Sequence, residues 1–455
     1  MASPIQAFIA ANRFGFGTKK GELQKIAYDP RGWLESQLDA RYAHNPAFDG
    51  LPTVIESVRN MRDNMQKKRL FKRQQNPENI DLDKVKKLLQ EQGKDYLKDI
   101  GLRTRVAAMS DTPFFERIVQ FWSNHFTVSS TKKQEMGIVV DFEREAMRPN
   151  VMGSFHQLLR ASTRHPAMLI YLDNQRSIGP KSLAGRRRDK GLNENLAREI
   201  LELHTLGVNG GYTQQDVTEF AKILTGWTVD VDGKGDGSGF RFVNLMHEPG
   251  DKTLLGEVYR NAGVDEGERA LATFAAHPST AKFVATKLAR HFIADEPPAS
   301  AVKKLAAAFT HYNGELKPVY RTLLAMEETW REPLAKVKTP NDYILSVMRS
   351  IGVEVDDLRL AGAFKMLGQM PFSAPSPAGW SDRAKDWVSA EAILQRINLA
   401  GYAARGASRM LEPKDLLAET IGPVASKETQ QAILRAGSRE EAITLLFASP
   451  EFQRR

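Results

Sequence analysis

The sequence predicts a mainly α protein, a large multi-helix body with at most one small β-hairpin. Three observations predict it. Apolar residues recur at helical spacing along most of the chain, helix-start signals stand where those runs begin, and strict apolar/polar alternation is scarce. In order, the periodicity places helices at 3–12, 18–27, 30–40, 50–71, 80–98, 101–110, 113–127, 135–148, 153–163, 194–207, 214–225, 265–276, 279–294, 299–312, 315–327, 340–351, 358–367, 388–404, 413–421, 427–436 and 438–447. Thr112-Pro113 reads as a cap followed by proline at the first helical position. Thr213 with Asp216 reads as a capping box before Val217 and Phe220. The best alternating stretch, Gly239 to Val243, is a candidate strand with Lys252 to Gly256 as its partner.

At 455 residues the chain is long enough for two or three units. The reading divides it at 1–112, an N-terminal helical region with a charged helical hairpin, at 113–330, a central helical core carrying the candidate site, and at 331–455, a C-terminal helical region with a Pro/Gly/Trp loop. Residues 62–100 mix Lys, Arg, Glu and Gln and read as a solvated hairpin broken near Asn76-Pro77, or as an interaction arm. Residues 229–239 (VDVDGKGDGSG) read as a loop; without a glutamate at the twelfth position they do not form a calcium loop. Residues 368–387 (GQMPFSAPSPAGWSDRAKDW) make a long ordered connection, the kind that more often serves function than decoration.

Composition excludes several classes. With no cysteine there are no disulfides, thiolate metal sites or cysteine nucleophile. The net charge of +9 is modest over this length, and no basic run is interleaved with aromatics, so nucleic-acid binding is disfavoured. No segment approaches ~18–20 consecutive apolar residues, which leaves no membrane span. The start, MASPIQAFIAANRFGFG, lacks a basic stretch before an apolar run; the compartment expected is cytoplasmic, or periplasmic if the N-terminus was trimmed. A nucleophile elbow, a zinc-protease motif, a phosphate loop and a dinucleotide fingerprint are all absent.

Longer motifs do stand out. They are Asn12-Arg13-Phe14-Gly15-Phe16-Gly17, Phe121-Trp122-Ser123-Asn124-His125-Phe126, the block from Asn193 to Trp227, His277-Pro278-Ser279-Thr280-Ala281, Gly368-Gln369, Pro371-Phe372 and Gly379-Trp380. On these the chain resembles, almost end to end, the uncharacterised bacterial family catalogued as domain of unknown function 1800. The resemblance implies a sulfatase-like partner protein, since relatives are frequently encoded beside one. It implies export for many relatives, often by twin-arginine signals that this chain lacks. It brings no established catalytic residues.

The central block, GLNENLAREILELHTLGVNGGYTQQDVTEFAKILTGW, carries the densest polar chemistry. At about 100° per residue, Glu194, Asn195, Arg198, Glu199, Glu202 and Thr205 fall within an arc of roughly 140°. That face suits a solvated surface with four-apart ion pairs, a buried network that fixes packing, or a catalytic wall. Glu199 and Glu202, three apart, address one point off an α-helix, as an acid–base pair or as oxygen ligands of a divalent cation require. Gly210-Gly211 allows a ligand to approach the main chain closely.

The leading expectation is therefore a hydrolase-type enzyme using Glu199 and Glu202 on an anionic or carbohydrate envelope component, with a divalent metal cation held with help from a histidine. His125 and His247 complete the catalytic candidates, although His125 continues the apolar row Phe114, Ile118, Phe121. Asn195, Arg198, Arg187, Lys252, Tyr212 and Trp380 are the substrate-binding candidates: Arg187, with Arg186 and Arg188, as anion recruiter, and Tyr212 and Trp380 as flat apolar faces. His204 reads as a core histidine and His277 as part of a capped helix start, while Lys287 and His291 face one pocket or bracket Phe283 and Leu288. The competing expectation is a non-catalytic binding or assembly protein whose polar helix is structural.

Overall fold

A computed structural model describes residues 3–73, 82–130, 137–187 and 191–455. Helices dominate the described residues, and the sheet content is two small two-stranded antiparallel sheets. Both candidate strands are present, but they do not pair with each other. Phe240–Phe242 pairs with Trp227–Val229, and Lys252–Leu254 pairs with Glu257–Tyr259. The second pairing wins because Leu255 and Gly256 both take positive φ, the two-residue turn that matches the twist of a tight hairpin. Asp216 Oδ1 accepts from Leu255 N at 2.7 Å and holds that turn.

The capping box at Thr213 and Asp216 is present. Thr112 precedes Pro113 at the first helical position but makes no capping bond, and its hydroxyl lies 3.2 Å from Ser110 Oγ instead. The helices expected at 80–98 and 101–110 are one continuous helix, Leu82–Met109. Gly101 does not break it. A Cβ there would collide with Asp357 Oδ1, so the glycine lets the helix Asp357–Leu367 approach, with Arg105 bonding Asp357 at 2.6 Å across the contact. The expected break near Asn76-Pro77 lies outside the described residues, as do the first two residues of the helix expected at 135–148.

Among the described residues, three helical segments widen into π-turns: Ala10–Phe14, Phe142–Met147 and Ile200–His204. Such turns often mark functional sites, and two of the three lie in the family motifs. One continuous buried cluster draws on residues from 1–112, 113–330 and 331–455 alike. The Phe14 ring lies 5.2 Å from Phe114, 5.5 Å from Phe292 and 5.6 Å from Trp330. Arg455, fully buried, exchanges main-chain hydrogen bonds with Lys336 and donates to Arg13 O at 3.2 Å. Among the described residues, no helix is long and apolar enough to cross a membrane.

Candidate functional site

The polar block does not form one α-helix. It runs as Asn195–Glu199 in α geometry and Ile200–His204 as a π-turn, where Thr205 Oγ1 donates to Ile200 O at 2.6 Å. The i→i+5 bonding widens the turn, so residues three apart diverge more than on an α-helix. Glu199 and Glu202 are half-buried and still feel each other. Partial burial raises the Glu199 carboxyl above its ordinary value, the charge of Glu202 raises it further, and Arg198 opposes both. Neither carboxylate has a hydrogen-bond or ion-pair partner among the described residues. Tyr212 stands in the same field: its hydroxyl is pushed up by burial first, then by Glu202 and Glu199, against Arg198.

Glu194 and Arg198 on that face are committed. Glu194 accepts from Thr218 Oγ1 at 2.6 Å, Gln214 Nε2 at 2.9 Å and Arg198 Nη2 at 3.1 Å. Arg198 also donates to Gln214 Oε1 at 3.0 Å, so the guanidinium is held between its own helix and the helix Gln214–Ile223. The Asn195 side chain is exposed, its main-chain N–H donating to Asn193 Oδ1 at 2.8 Å. Arg187 is exposed in the short turn Gly185–Arg187, and Arg188 lies outside the described residues.

The histidines go elsewhere. His125 is buried among the rings of Trp122, Phe126 and Phe155, with Nε2 3.0 Å from His204 O and Nδ1 without a partner among the described residues. Burial, then Lys287 and His204, hold it well below its ordinary value, so it is neutral. His204 is buried too, held at about 3 by burial and then by Lys287. His277 Nδ1 caps its helix by accepting from Ser279 N at 3.1 Å.

His247 and Lys252, predicted from a loop, meet in a closed buried triad with Glu266. His247 Nε2 lies 3.0 Å from Glu266 Oε1, Lys252 Nζ lies 2.8 Å from Glu266 Oε2, and Lys252 also donates to Glu248 O at 2.7 Å. The Glu266 carboxyl is lowered: burial works against it, and hydrogen bonds from His247, Lys252 and the Ala262 N–H overcome that. Glu266 was missed because it reads as an ordinary first-turn acid of the helix Val264–Ala276. Among the described residues, no three His, Asp or Glu side chains are grouped to hold a metal ion.

Trp380 goes to a third place, a cavity of about 100 Å³ beneath residues 368–387. Several family motifs meet there: Phe16, Phe121, Asn124, Gln369, Phe372 and Trp380 all line it. The long loop is tied down from below. Tyr96 donates to Pro371 O at 2.8 Å, Ser130 N to Phe372 O at 2.7 Å, and Ser129 Oγ to Ala374 O at 3.0 Å. Asn124 clamps Trp380 twice, donating to its O at 2.8 Å and accepting from its N at 2.7 Å. The helix Pro113–His125 thus faces the cavity through Asn124 and the π-turn through His125.

An ionic network backs the cavity. Arg117 Nη2 lies 3.1 Å from Asp342 Oδ1, Arg455 Nε lies 3.0 Å from Asp342 Oδ2, and His291 Nδ1 lies 2.8 Å from Asp382 Oδ1. Burial works to raise the Asp342 carboxyl, and Arg117 and Arg455 overcome it and hold it at about 2. Burial lowers His291 to about 4 despite Asp382, so the ring is neutral, with Nε2 3.4 Å from Arg117 Nη1. His291 therefore faces this cavity; Lys287 is not part of its lining, and its ammonium lies 5.7 Å from the Phe283 ring. The sequence did carry a signal for the missed members: Arg117 interrupts the apolar row Phe114, Ile118, Phe121, and Asp342 precedes Tyr343-Ile344-Leu345. A charge set into an apolar stripe needs a buried partner.

What these features define is a mainly helical protein with a half-buried carboxylate pair where an α-helix passes into a π-turn, and a separate polar cavity. The chain belongs to the family described as Protein of unknown function (DUF1800), which it matches over residues 9–454. No curated protein and no solved structure matches it.

Proposed function

We propose that the protein is a hydrolase-type enzyme in which Glu199 and Glu202 act as an acid–base pair on a carbohydrate or anionic envelope component. One observation carries the reading: the raised Glu199 carboxyl stands beside a second carboxylate and a tyrosine, and neither acid has a partner among the described residues. A carboxyl raised by burial and by a neighbouring charge can serve as the acid of hydrolysis while its neighbour serves as the base. Glu199, its carboxyl raised by partial burial and by the charge of Glu202, protonates the leaving oxygen. Glu202 takes the proton from the attacking water. Tyr212 and the exposed Asn195 are placed to contact substrate, and Arg198, fixed to Glu194 and Gln214, tunes the field at Glu199. A sulfatase-like protein, implied by the family resemblance, is the proposed partner.

Titrating the side-chain carboxyls by NMR tests the pair without a substrate. Glu199 should titrate above the ordinary glutamate value, and Glu202→Gln should lower it by removing the neighbouring charge. A Glu199 that titrates normally sinks the reading. In hydrolysis assays on nitrophenyl glycosides, sulfates and phosphates, Glu199→Gln and Glu202→Gln should each lose roughly 100-fold or more in rate with unchanged melting. Marked destabilisation by either change would instead favour a structural polar network.

A further inference from the structure

We propose that the exposed face of the helix Ala390–Ala407 is a dimer interface, on which a second copy of this chain packs its own Ala390–Ala407 antiparallel about Asn398. The inference stands apart from the carboxylate pair, since neither Glu199 nor Glu202 belongs to this helix.

The helix leaves a broad apolar surface uncovered. At about 100° per residue, Glu391, Leu394, Asn398, Tyr402 and Arg405 fall within an arc of about 80°, and all of them are exposed. Leu394 is 51% exposed and Tyr402 58%. Toward one flank of that arc Ile393 and Ile397 are exposed as well. On the other flank a cleft of about 610 Å³ opens between this helix and the helices Pro340–Ile351 and Asp357–Leu367. Its lining is mostly apolar and includes Met348, Met366 and Met410, soft side chains that adapt their shape to a partner. Contiguous apolar surface rimmed by charge marks a place of association.

Glycines on that surface point the same way. Gly401 and Gly406 belong to the helix Ala390–Ala407, and Gly362 to the helix across the cleft. A Cβ at any of these positions would meet nothing within 4 Å. Each glycine costs its helix about 1 kcal/mol against alanine, and no contact inside the chain asks for it. The close approach of a second backbone does.

The order of residues along the face identifies that backbone as the chain's own. Leu394 and Tyr402 stand four residues to either side of Asn398, and Glu391 and Arg405 stand seven to either side. An antiparallel copy turned about Asn398 therefore sets Leu394 against Tyr402 of the other copy and Glu391 against Arg405 of the other copy, and the two-fold repeats both contacts. Glu391 has no cationic partner among the described residues and accepts from Gln395 Nε2 at 2.6 Å. Arg405 lies 3.4 Å from Glu440 in an exposed pair, which is weak enough to exchange. Asn398 meets itself, and its amide both gives and accepts hydrogen bonds, so two copies satisfy each other. The same two-fold keeps like flanks together: Ile397 of both copies on one side, both clefts on the other. An anionic membrane surface would call for cations along the whole face, and Glu391 stands at one end of it.

The test is sedimentation equilibrium of the full chain up to about 100 µM, where a micromolar dimer is populated. The unmodified chain should dimerise. Glu391→Arg and Arg405→Glu should each weaken the dimer about tenfold, because each sets like charges opposite one another at both contacts. Mixing the two single variants brings unlike charges together at both contacts and should restore association. The chain has no cysteine, so Asn398→Cys supplies one thiol per copy. A short bismaleimide should link two such copies much faster than it links Tyr28→Cys, whose site is exposed far along the chain. The proposal is overturned if the unmodified chain sediments as a monomer, if neither charge variant weakens the dimer, if mixing them restores nothing, or if Asn398→Cys links no faster than Tyr28→Cys. Should a charge variant melt early, the linkage at Asn398→Cys decides alone.

Discussion

Two acid clusters with the same vocabulary behave oppositely in this molecule. In the triad of His247, Lys252 and Glu266, both Glu266 oxygens and the Lys252 ammonium meet partners at 2.8 to 3.0 Å inside the core. At the junction of the α-turn and the π-turn, Glu199 and Glu202 are half-buried and meet none among the described residues. Burial explains the contrast: a charge taken out of water must be matched, whereas a half-exposed one can remain available. Residue type therefore says little about chemistry here, and uncommitted bonding capacity says more. The cavity beneath residues 368–387 lies between the extremes, with Arg103 and Arg117 ion-paired and the NH2 groups of Gln120 and Gln369 without a partner among the described residues.

The sharpest way to break this comparison is to remove one member of the closed triad. Glu266→Gln leaves the Lys252 ammonium buried beside a neutral amide, and stability should fall by about 3–5 kcal/mol. Denaturant unfolding reads this as a lower midpoint at unchanged slope. A loss under about 1 kcal/mol would mean that water or another group reaches Lys252, and the distinction between matched and unmatched acids would fail.

A pH series sharpens the comparison at the next level down. His204 is held at about 3 in the folded protein, against about 6.5 when unfolded. Below pH 6.5 the unfolded chain thus binds a proton that the folded chain does not. The stability His204 contributes is fully present above about pH 6.5 and declines as pH falls toward 3, by about 1.4 kcal/mol per pH unit. The total slope mixes groups of opposite sign. Burial raises Asp141 to about 7 and Asp99 to about 6, and both gain stability as pH falls. The quantity to measure is therefore the difference between the unmodified chain and His204→Gln across pH 7.5 to 5. A pH-independent difference would show that His204 is not the buried neutral group described.

Much of the fold was legible because helical period and capping are local. The capping box at Thr213 and the two strands Phe240–Phe242 and Lys252–Leu254 could be read directly. Strand pairing could not, because it depended on a positive φ at Leu255, a residue that carries no turn signature. Nor could continuity through Gly101, which depends on the distant Asp357. The site was legible by residue and not by grouping. Glu199, Glu202 and Tyr212 came together because they are near in sequence. His247 and Lys252 also came together, but with Glu266. Trp380 joined Arg117, Asp342 and Arg455, which lie far apart along the chain and meet only through tertiary packing. The π-turn itself was invisible to a reading that assumed about 100° per residue.

The smallest expected effect lies at the open end of the comparison. Glu199→Gln should change stability by no more than about 0.5 kcal/mol, and the sign should be favourable. The folded protein already disfavours the charged form of Glu199, through partial burial and through Glu202. An uncharged isostere relieves that repulsion and breaks no hydrogen bond known among the described residues. Solvent screening keeps the gain small, because the side chain is only half-buried. The same substitution in the triad, at Glu266, should cost many times more. Equal losses at the two positions would mean that Glu199 is a structural acid, and its raised proton affinity would then reflect packing in place of chemistry.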